Sequence, residues 1–242
     1  MKSISLICVY NNQELLDTMV NSCKNQTVGF ENIEFILIDN TAGAFSSAAA
    51  ALNYGTKKAT TDTWVFLHQD IEFLKEDGLE YIINYLNNNP EVLVGAAGVK
   101  SRKKDYNGIV SSMYSGIYKA KYSDEQNPQE VFVLDECLFA CRKELFGKIC
   151  FDEIICDGWH LYAADLCLQA KLNGYSVVVL PLSQVWHKSW GNADKEYFRT
   201  QNVLARKYKK HYEIINTTNS WTYTNPMKRM LLNSYRKLRY GK

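Results

Sequence analysis

Short apolar runs alternate with longer amphipathic stretches through the first hundred residues, and this alternation narrows the architecture more than any other feature. Residues 4–10 (Ile-Ser-Leu-Ile-Cys-Val-Tyr) and 33–39 (Ile-Glu-Phe-Ile-Leu-Ile-Asp) are apolar runs of strand length, and 64–69 and 92–98 continue the series. Between them, residues 12–24, the Ala-rich 45–59 and 79–88 carry helical patterns. Strands with little polar interruption are buried on both faces, and the intervening helices supply the crossovers that parallel strands need. The expected fold is therefore α/β: a Rossmann-like, mixed but mostly parallel sheet flanked by helices. In such sheets ligands bind beyond the carboxyl ends of the strands. Polar residues close three of the strands here: Tyr10-Asn11-Asn12, Asp39-Asn40 and His68-Gln69-Asp70. Core packing does not require them, so they are the first candidates for a site.

Beyond residue 100 the pattern changes. Residues 101–130 are polar, Tyr-rich and Gly-punctuated, as in loops or a hairpin whose role the motifs below bear on. A strand near 131–135, helices near 142–147 and 158–173, a strand at 175–180 and a long helix from about Asp194 follow. With 242 residues the chain fits one α/β domain plus a small appendage.

The net charge of +2 gives no argument for nucleic acid, but its distribution is uneven. Residues 195–242 hold 12 Lys/Arg and 2 Asp/Glu, a local +10 that leaves −8 on the residues before them. From Pro226, Met227-Lys228-Arg229-Met230-Leu231-Leu232 and Tyr235-Arg236-Lys237-Leu238-Arg239-Tyr240 interleave apolar and basic side chains at helical spacing. Such a helix fits an anionic bilayer surface, with packing in a homodimer as the alternative. Seven Cys without a CxxC pair read as buried thiols in a reducing compartment. The apolar run at 4–10 is too short for a signal sequence, and no later run approaches a membrane span. The expected location is cytoplasmic, with the inner face of the membrane as the place the basic end would touch.

His68 and Asp70 are two positions apart, so in an extended segment they share a face while Gln69 points away. Imidazole with carboxylate suits Mn2+, and oxygen-rich coordination suits Mg2+. The simpler alternative is a buried histidine hydrogen-bonded to a strand-end aspartate.

Further motifs follow in order. Asn53, Gly55, Ala59 and Asp62 lead into Trp64-Val65-Phe66-Leu67 and His68-Gln69-Asp70. Phe139-Ala140-Cys141-Arg142-Lys143-Glu144-Leu145-Phe146, Phe151-Asp152-Glu153 and Asp165-Leu166-Cys167-Leu168 come next, then Gly174-Tyr175, Pro181 and Val185-Trp186-His187. Over residues 4–191 this order resembles glycosyltransferase family 2 and its relatives with the GT-A fold. The resemblance implies a transferase domain at 1–212, with its nucleotide-binding half at about 1–100 and acceptor half at about 101–212. A basic amphipathic tail at 213–242 would follow. It implies Val9, Tyr10, Asp39, Asn40, Asn53 and Gln69 on the donor side, joined by Asp135, Glu136 and Lys188. Asp70 matches the metal-touching position of a DxD-like motif, and His187 a histidine that completes the donor-metal site. The implied cofactor is Mn2+ or Mg2+. The implied partners are a nucleoside-diphosphate sugar and a glycan or lipid-linked acceptor.

Two positions depart from that pattern. His68 replaces the leading Asp of the metal motif. The Glu-Asp pair whose Asp serves relatives as base falls on Tyr162 and Ala163. The nearest remaining candidates are Asp157, His160 and Asp165, with Asp165 the first choice. Trp159 is a candidate platform for an acceptor sugar. The expected reaction is inverting sugar transfer, and a non-catalytic sugar-nucleotide-binding subunit is the alternative. A sugar nucleotidyltransferase fits less well, because Tyr10-Asn11-Asn12-Gln13-Glu14 has no Gly or Lys to cradle a triphosphate.

Overall fold

In the first half of the chain, burial on both faces decides which segments become strands. The computed structural model describes residues 3–100, 108–111, 113–121, 126–182 and 184–240. Residues 101–107, 112 and 122–125 of the expected acceptor loop lie outside the described residues. The first half runs β1 (Ile4–Tyr10), α1 (Gln13–Lys24), β2 (Ile33–Asp39), α2 (Ala48–Thr56), β3 (Thr63–Leu67), β4 (Ile71–Phe73), α3 (Gly78–Asn88) and β5 (Val92–Gly95). Short strands follow: β6 (Ala97–Val99), β7 (Ile109–Ser111), β8 (Tyr114–Ser115), β9 (Ala120–Lys121), β10 (Gln129–Glu130) and β11 (Val133–Leu134). Then come β12 (Leu138–Arg142), α4 (Tyr162–Leu172), β13 (Ser176–Val179), β14 (Val185–His187), α5 (Lys195–Lys207), β15 (Ile214–Asn216), β16 (Trp221–Tyr223) and α6 (Pro226–Tyr240).

The central sheet has seven strands in the order β10-β13-β5-β12-β3-β1-β2. β1 pairs in parallel with β2 and β3, and β5 with β13, while β12 runs antiparallel between β3 and β5. Successive residues feed opposite faces. Ile7, Trp64, Phe66 and Phe139 pack into one core layer. Leu6, Cys8, Val65, Leu67 and Leu138 pack into the other with α1 and α3. Local signals start the helices: Asn12 accepts from the Leu15 amide (3.1 Å), Ser47 from Ala50 (3.2 Å) and Asp194 from Tyr197 (3.0 Å). Gly55 lets α2 lie directly on the sheet, since a Cβ there would stand 2.7 Å from both Ile38 Cδ1 and Ile7 Cγ2.

The register brings the polar strand ends level. Ile7 pairs with Ile36 and with Phe66, so Tyr10, Asp39 and the residues after Leu67 reach one edge together. The Asn40 amide bonds Tyr10 O (2.8 Å). Gln69 accepts from the amides of Asn11 (3.0 Å) and Asn12 (2.9 Å) and donates to Asn11 Oδ1 (2.8 Å). A second sheet, β4-β14-β8-β9, stands beside this edge.

Several expected elements change. The run 92–98 is two strands, broken at Ala96, because β6 leaves the main sheet to pair with β11 and β7. The segment expected as a helix near 142–147 is a 3-10 turn (Lys143–Gly147), preceded by the unexpected core strand β12. The helix expected from 158 starts at Tyr162, because Leu161 takes a left-handed conformation (φ 66°). The segment 213–242 begins as a packed hairpin, β15 with β16, whose Ile215 is fully buried. Six of the seven cysteines are buried thiols.

Phe66 anchors one core layer at the floor of the strand-end cleft. It stacks on Phe139 with ring centroids 4.9 Å apart and meets Phe151 edge-on at 5.2 Å. Phe66→Ala is expected to cost about 3–5 kcal/mol in urea unfolding. Within the same sheet, truncating the rim residue Leu37, which is 38% exposed, should cost much less.

Candidate active site

Strand pairing gathers three ligand-type side chains from distant parts of the chain. β3 ends at Leu67, and the chain turns through His68-Gln69-Asp70 into β4. β14 pairs antiparallel with β4, setting His187 opposite Ile71 and the Lys188 amide on Asp70 O (3.1 Å). One ligand atom from each of His68, Asp70 and His187 lies within 4.8 Å of the others. His187 Nε2 stands 3.4 Å from Asp70 Oδ1, the Ser189 amide donates to Asp70 Oδ2 (3.2 Å), and Ser189 Oγ lies 3.2 Å from His187 Nε2. The Tyr162 hydroxyl holds His68 Nε2 at 2.9 Å. Such an outer hydrogen bond orients an imidazole.

The electrostatics fit a cation site. Burial works to raise Asp70, but the His187 hydrogen bond and charge, His68 and the Ser189 amide together hold it well below the usual carboxylate range. Burial, reinforced by the facing His187, pushes His68 down to about 4, so its ring is neutral at neutral pH. Burial alone would lower His187, yet the bond to Asp70 and that carboxylate's charge lift it above the ordinary histidine value. An anion between two imidazoles is a donor set that a divalent cation can occupy.

Beside the cluster lies a cavity of about 540 Å³ at the strand ends. Val9, Tyr10, Asn40, Gln69, His68, Asp70, Glu136 and Trp159 all line it, so the structure brings together eight of the expected site residues. The Gln69 amide also spans β1 and β3, which makes it a clamp on the cleft as well as part of its wall. A second cavity of about 180 Å³ adjoins the first, and both are bounded by His68, Glu136, Trp159 and Ser189. His187, Asp135 and His160 line only the smaller one.

Glu136 and Asp135 are neighbours in sequence with opposite environments. The Thr218 hydroxyl (2.8 Å) and the Cys137 amide (3.1 Å) donate to Asp135. Burial would raise Asp135, but His187 and these donors keep it low. Burial and the Asp135 charge push Glu136 well above the usual carboxylate value, although the amides of Leu161, Tyr162 and Ala163 partly offset them. Glu136 Oε1 is buried with no hydrogen-bond partner. An unpaired buried acceptor costs roughly 1–3 kcal/mol; Thr200 Oγ1, Asn216 Oδ1 and Thr222 Oγ1 are also unpaired, but their residues lie outside the two strand-end cavities, whereas Glu136 lines both. The residue pattern missed Tyr162 and Ser189, whose parts in holding His68 and Asp70 depend on tertiary contacts.

Other expected residues are turned elsewhere. Asp39 caps its own turn, accepting from the Thr41 amide (2.8 Å) and hydroxyl (2.7 Å), which lower it. Asn53 ties α2 to Phe151 O (2.9 Å) and Glu153 (2.8 Å). Lys188 pairs with Glu72 at 3.0 Å. Asp157 is held by Arg199 through two bonds, at 3.0 and 2.6 Å. His160 faces Asp194 at 3.4 Å.

Three comparisons bear on the identity of this cleft. The pattern of a family described as a glycosyltransferase-like family matches residues 5–212. A relative described as the ATP synthase subunits region ORF 6 of Fuscovulum blasticum is 24% identical over 213 residues, 86% of this chain and 84% of that one. The crystal structure of GalNAc-T7 with UDP, GalNAc and Mn2+ superposes with a TM-score of 0.60 at 13% identity, over 86% of this chain and 47% of its own. S. aureus TarS 1–349 in complex with UDP-GlcNAc gives 0.57 at 14% identity, over 84% of this chain and 65% of its own. The chain thus spans about half the length of the first and under two thirds of the second. At these identities the likeness is one of fold, the GT-A fold of glycosyltransferases.

Asp165 is enclosed behind the cleft. Its side chain is 1% exposed. Lys207 Nζ donates to Oδ1 (2.7 Å) and Oδ2 (3.0 Å), Tyr208 to Oδ1 (2.7 Å) and Gln169 to Oδ2 (2.7 Å). Lys207 also reaches Asp152 at 2.8 Å. Both oxygens are committed, and neither lines the cavities, so the structure joins α4 to α5 through Asp165 rather than offering it to a substrate. Lys207→Met would leave this carboxylate buried without its cation, and thermal or urea unfolding should show a loss of about 3 kcal/mol or more.

Proposed function

The chain belongs to the glycosyltransferase-like family, and we propose that its strand-end cleft binds a nucleoside-diphosphate sugar with a divalent cation. The sugar is then passed, with inversion, to a hydroxyl of a glycan or lipid-linked acceptor. The observation that carries this reading is the convergence of His68, Asp70 and His187 where the two cavities adjoin. The fold neighbours add support: GalNAc-T7 was crystallised with UDP and Mn2+, and TarS with UDP-GlcNAc.

Asp70, His187 and His68 would hold the cation. Two imidazoles with one carboxylate favour Mn2+ over Mg2+, which prefers an all-oxygen shell. When bound, it supplies positive charge to the diphosphate leaving group. The chain's own groups do the rest. His187 and Ser189 keep Asp70 ionised and aimed, and Tyr162 fixes the His68 ring. Val9, Tyr10 and Asn40 wall the side of the cleft assigned to the nucleoside, and Asp39 stands at its rim. Trp159, 39% exposed at the junction of the two cavities, offers its face to an acceptor ring. Inversion in one displacement requires a base on the side of the sugar opposite the diphosphate.

A thermal-shift panel of nucleoside diphosphates, each with and without Mn2+, tests this reading. One of them should stabilise the protein only when Mn2+ is present. At 100-fold excess over Kd the gain is about 2.7 kcal/mol, roughly 5–10 °C for a chain of this size. Asp70→Ala and His187→Ala should abolish the Mn2+-dependent part, and EDTA should stop nucleotide release from the matching nucleotide-sugar. A full Mn2+-dependent shift in Asp70→Ala would sink the metal assignment. A non-catalytic binder would show the shift and release no nucleotide.

We also assign the acceptor's approach to α6. Its Met227, Met230, Leu231, Tyr235 and Leu238 are 50–89% exposed, among Lys228, Arg229, Arg236, Lys237 and Arg239. Among the described residues no helix is long and apolar enough to cross a membrane, whereas a basic amphipathic helix can lie on an anionic one. The protein should co-sediment with phosphatidylglycerol-containing vesicles and not with pure phosphatidylcholine. Leu231→Asp with Leu238→Asp should remove that binding, and unchanged binding would refute the assignment.

A further inference from the structure

Sugar transfer as proposed above needs a proton acceptor, and the residues first expected to provide one are engaged elsewhere. Asp165 is sealed by Lys207, Tyr208 and Gln169, and Asp157 is clamped by Arg199. The carboxylates lining the two cavities are Asp70, Asp135 and Glu136. Asp70 belongs to the cation cluster, and Asp135 accepts from Thr218 and Cys137. Glu136 is left with a buried, unpartnered Oε1.

Its position is as telling as its unmet bond. Glu136 lines both cavities: the larger shared with Asp70 and Tyr10, the smaller with His160, Tyr197 and Thr217. A base for a single displacement has to stand between the donor's anomeric carbon and the incoming hydroxyl. The wall between a donor cavity and an acceptor cavity is that place. We propose that Glu136 is the general base of the transfer, with the smaller cavity receiving the acceptor hydroxyl. The assignment rests on the sugar-transfer reading of the cleft.

In the step, the acceptor O–H gives its proton to Glu136 Oε1 as its oxygen bonds to the anomeric carbon. The bond from that carbon to the diphosphate oxygen breaks, and its electron pair leaves with the nucleoside diphosphate. The proton passes later from Glu136 to solvent. The acceptor hydroxyl thus becomes the missing partner of Oε1.

The surroundings suit the role. The charged or titratable groups that face Glu136 are Asp135, whose charge helps to raise it, and the Tyr162 and Tyr197 phenols and the Cys156 thiol, which burial raises and the Glu136 charge raises further. Burial and Asp135 raise Glu136, while Asp135 itself is held ionised. Two carboxylates pushed in opposite directions divide the tasks, one held as an anion and the other made the readier of the two to take a proton. The left-handed turn at Leu161 points the first amides of α4 at the carboxylate and fixes its direction.

The test is steady-state release of nucleoside diphosphate from UDP-glucose, UDP-GlcNAc, GDP-mannose and dTDP-rhamnose with Mn2+, using octyl glucoside or water as acceptor. Glu136→Gln should lower kcat about 100-fold or more, with donor KM and the Mn2+-dependent thermal shift unchanged. The acidic limb of the wild-type kcat–pH profile should disappear in this variant. Glu136→Asp, which keeps the carboxylate but shortens its reach, should lower kcat less and keep the limb. Wild-type kcat in Glu136→Gln overturns the assignment, as does loss of nucleotide binding in step with rate in both variants. If wild-type protein releases nucleotide from no sugar while still binding it, the transfer reading fails, and Glu136 as its base fails with it.

Discussion

The site depends first on the pairing of β14 with β4. That antiparallel register puts His187 opposite Ile71, and so beside Asp70, on a two-residue offset that leaves little freedom. A slip by one residue would turn His187 to the other face. The Lys188 amide bond to Asp70 O and the Ser189 amide bond to its carboxylate lock the register from the same strand end. The strongly lowered Asp70 and the raised His187 follow from this contact, since each holds the other's charged form against the cost of burial, whereas His68 is lowered by burial first and by His187 second.

Environment, more than residue type, divides the work among the carboxylates around the cleft. Asp165 accepts four side-chain hydrogen bonds, two of them from Lys207, and it serves as the joint between α4 and α5. Asp135 is held by a threonine and a backbone amide. Asp70 faces two imidazoles. Glu136 keeps an oxygen without a partner. Folded proteins leave few buried polar atoms unsatisfied, and among the carboxylates that line the cavities this contrast separates those already engaged from the one with an oxygen to spare.

Much of the frame was legible because parallel strands buried on both faces read as apolar runs. β1 and β2 fall within the bounds that Ile4–Tyr10 and Ile33–Asp39 set in sequence, and their polar caps do close the strands at one edge. β12 escaped because its five residues run directly into a turn that carries helix-forming Lys143-Glu144-Leu145. The break in 92–98 depends on close backbone approach: a Cβ at Gly98 would stand 2.6 Å from Val133 O, a contact between segments far apart in sequence. Among the candidate ligands, His68 and Asp70 stood out by a shared strand-end face and His187 by the resemblance alone, and their meeting depends on the β4–β14 pairing, which is readable in neither. The fate of Asp165 was not readable either, since it is decided by Lys207 and Tyr208 on α5. Local pattern marks which residues are able to ionise, and tertiary partners decide which of them remain available.

The C-terminal segment ties these observations together in a way its composition alone would not suggest. It is no separate tail: the loop of the β15–β16 hairpin supplies Thr217, Thr218 and Asn219 to the wall of the smaller cavity, and Thr218 is the residue that fixes Asp135. α6 in turn rests on the same hairpin, with Arg236 donating to Trp221 O at 2.7 Å and lying 5.3 Å over its ring. One small two-stranded element therefore touches both the cavity assigned to the acceptor and the helix assigned to a bilayer surface.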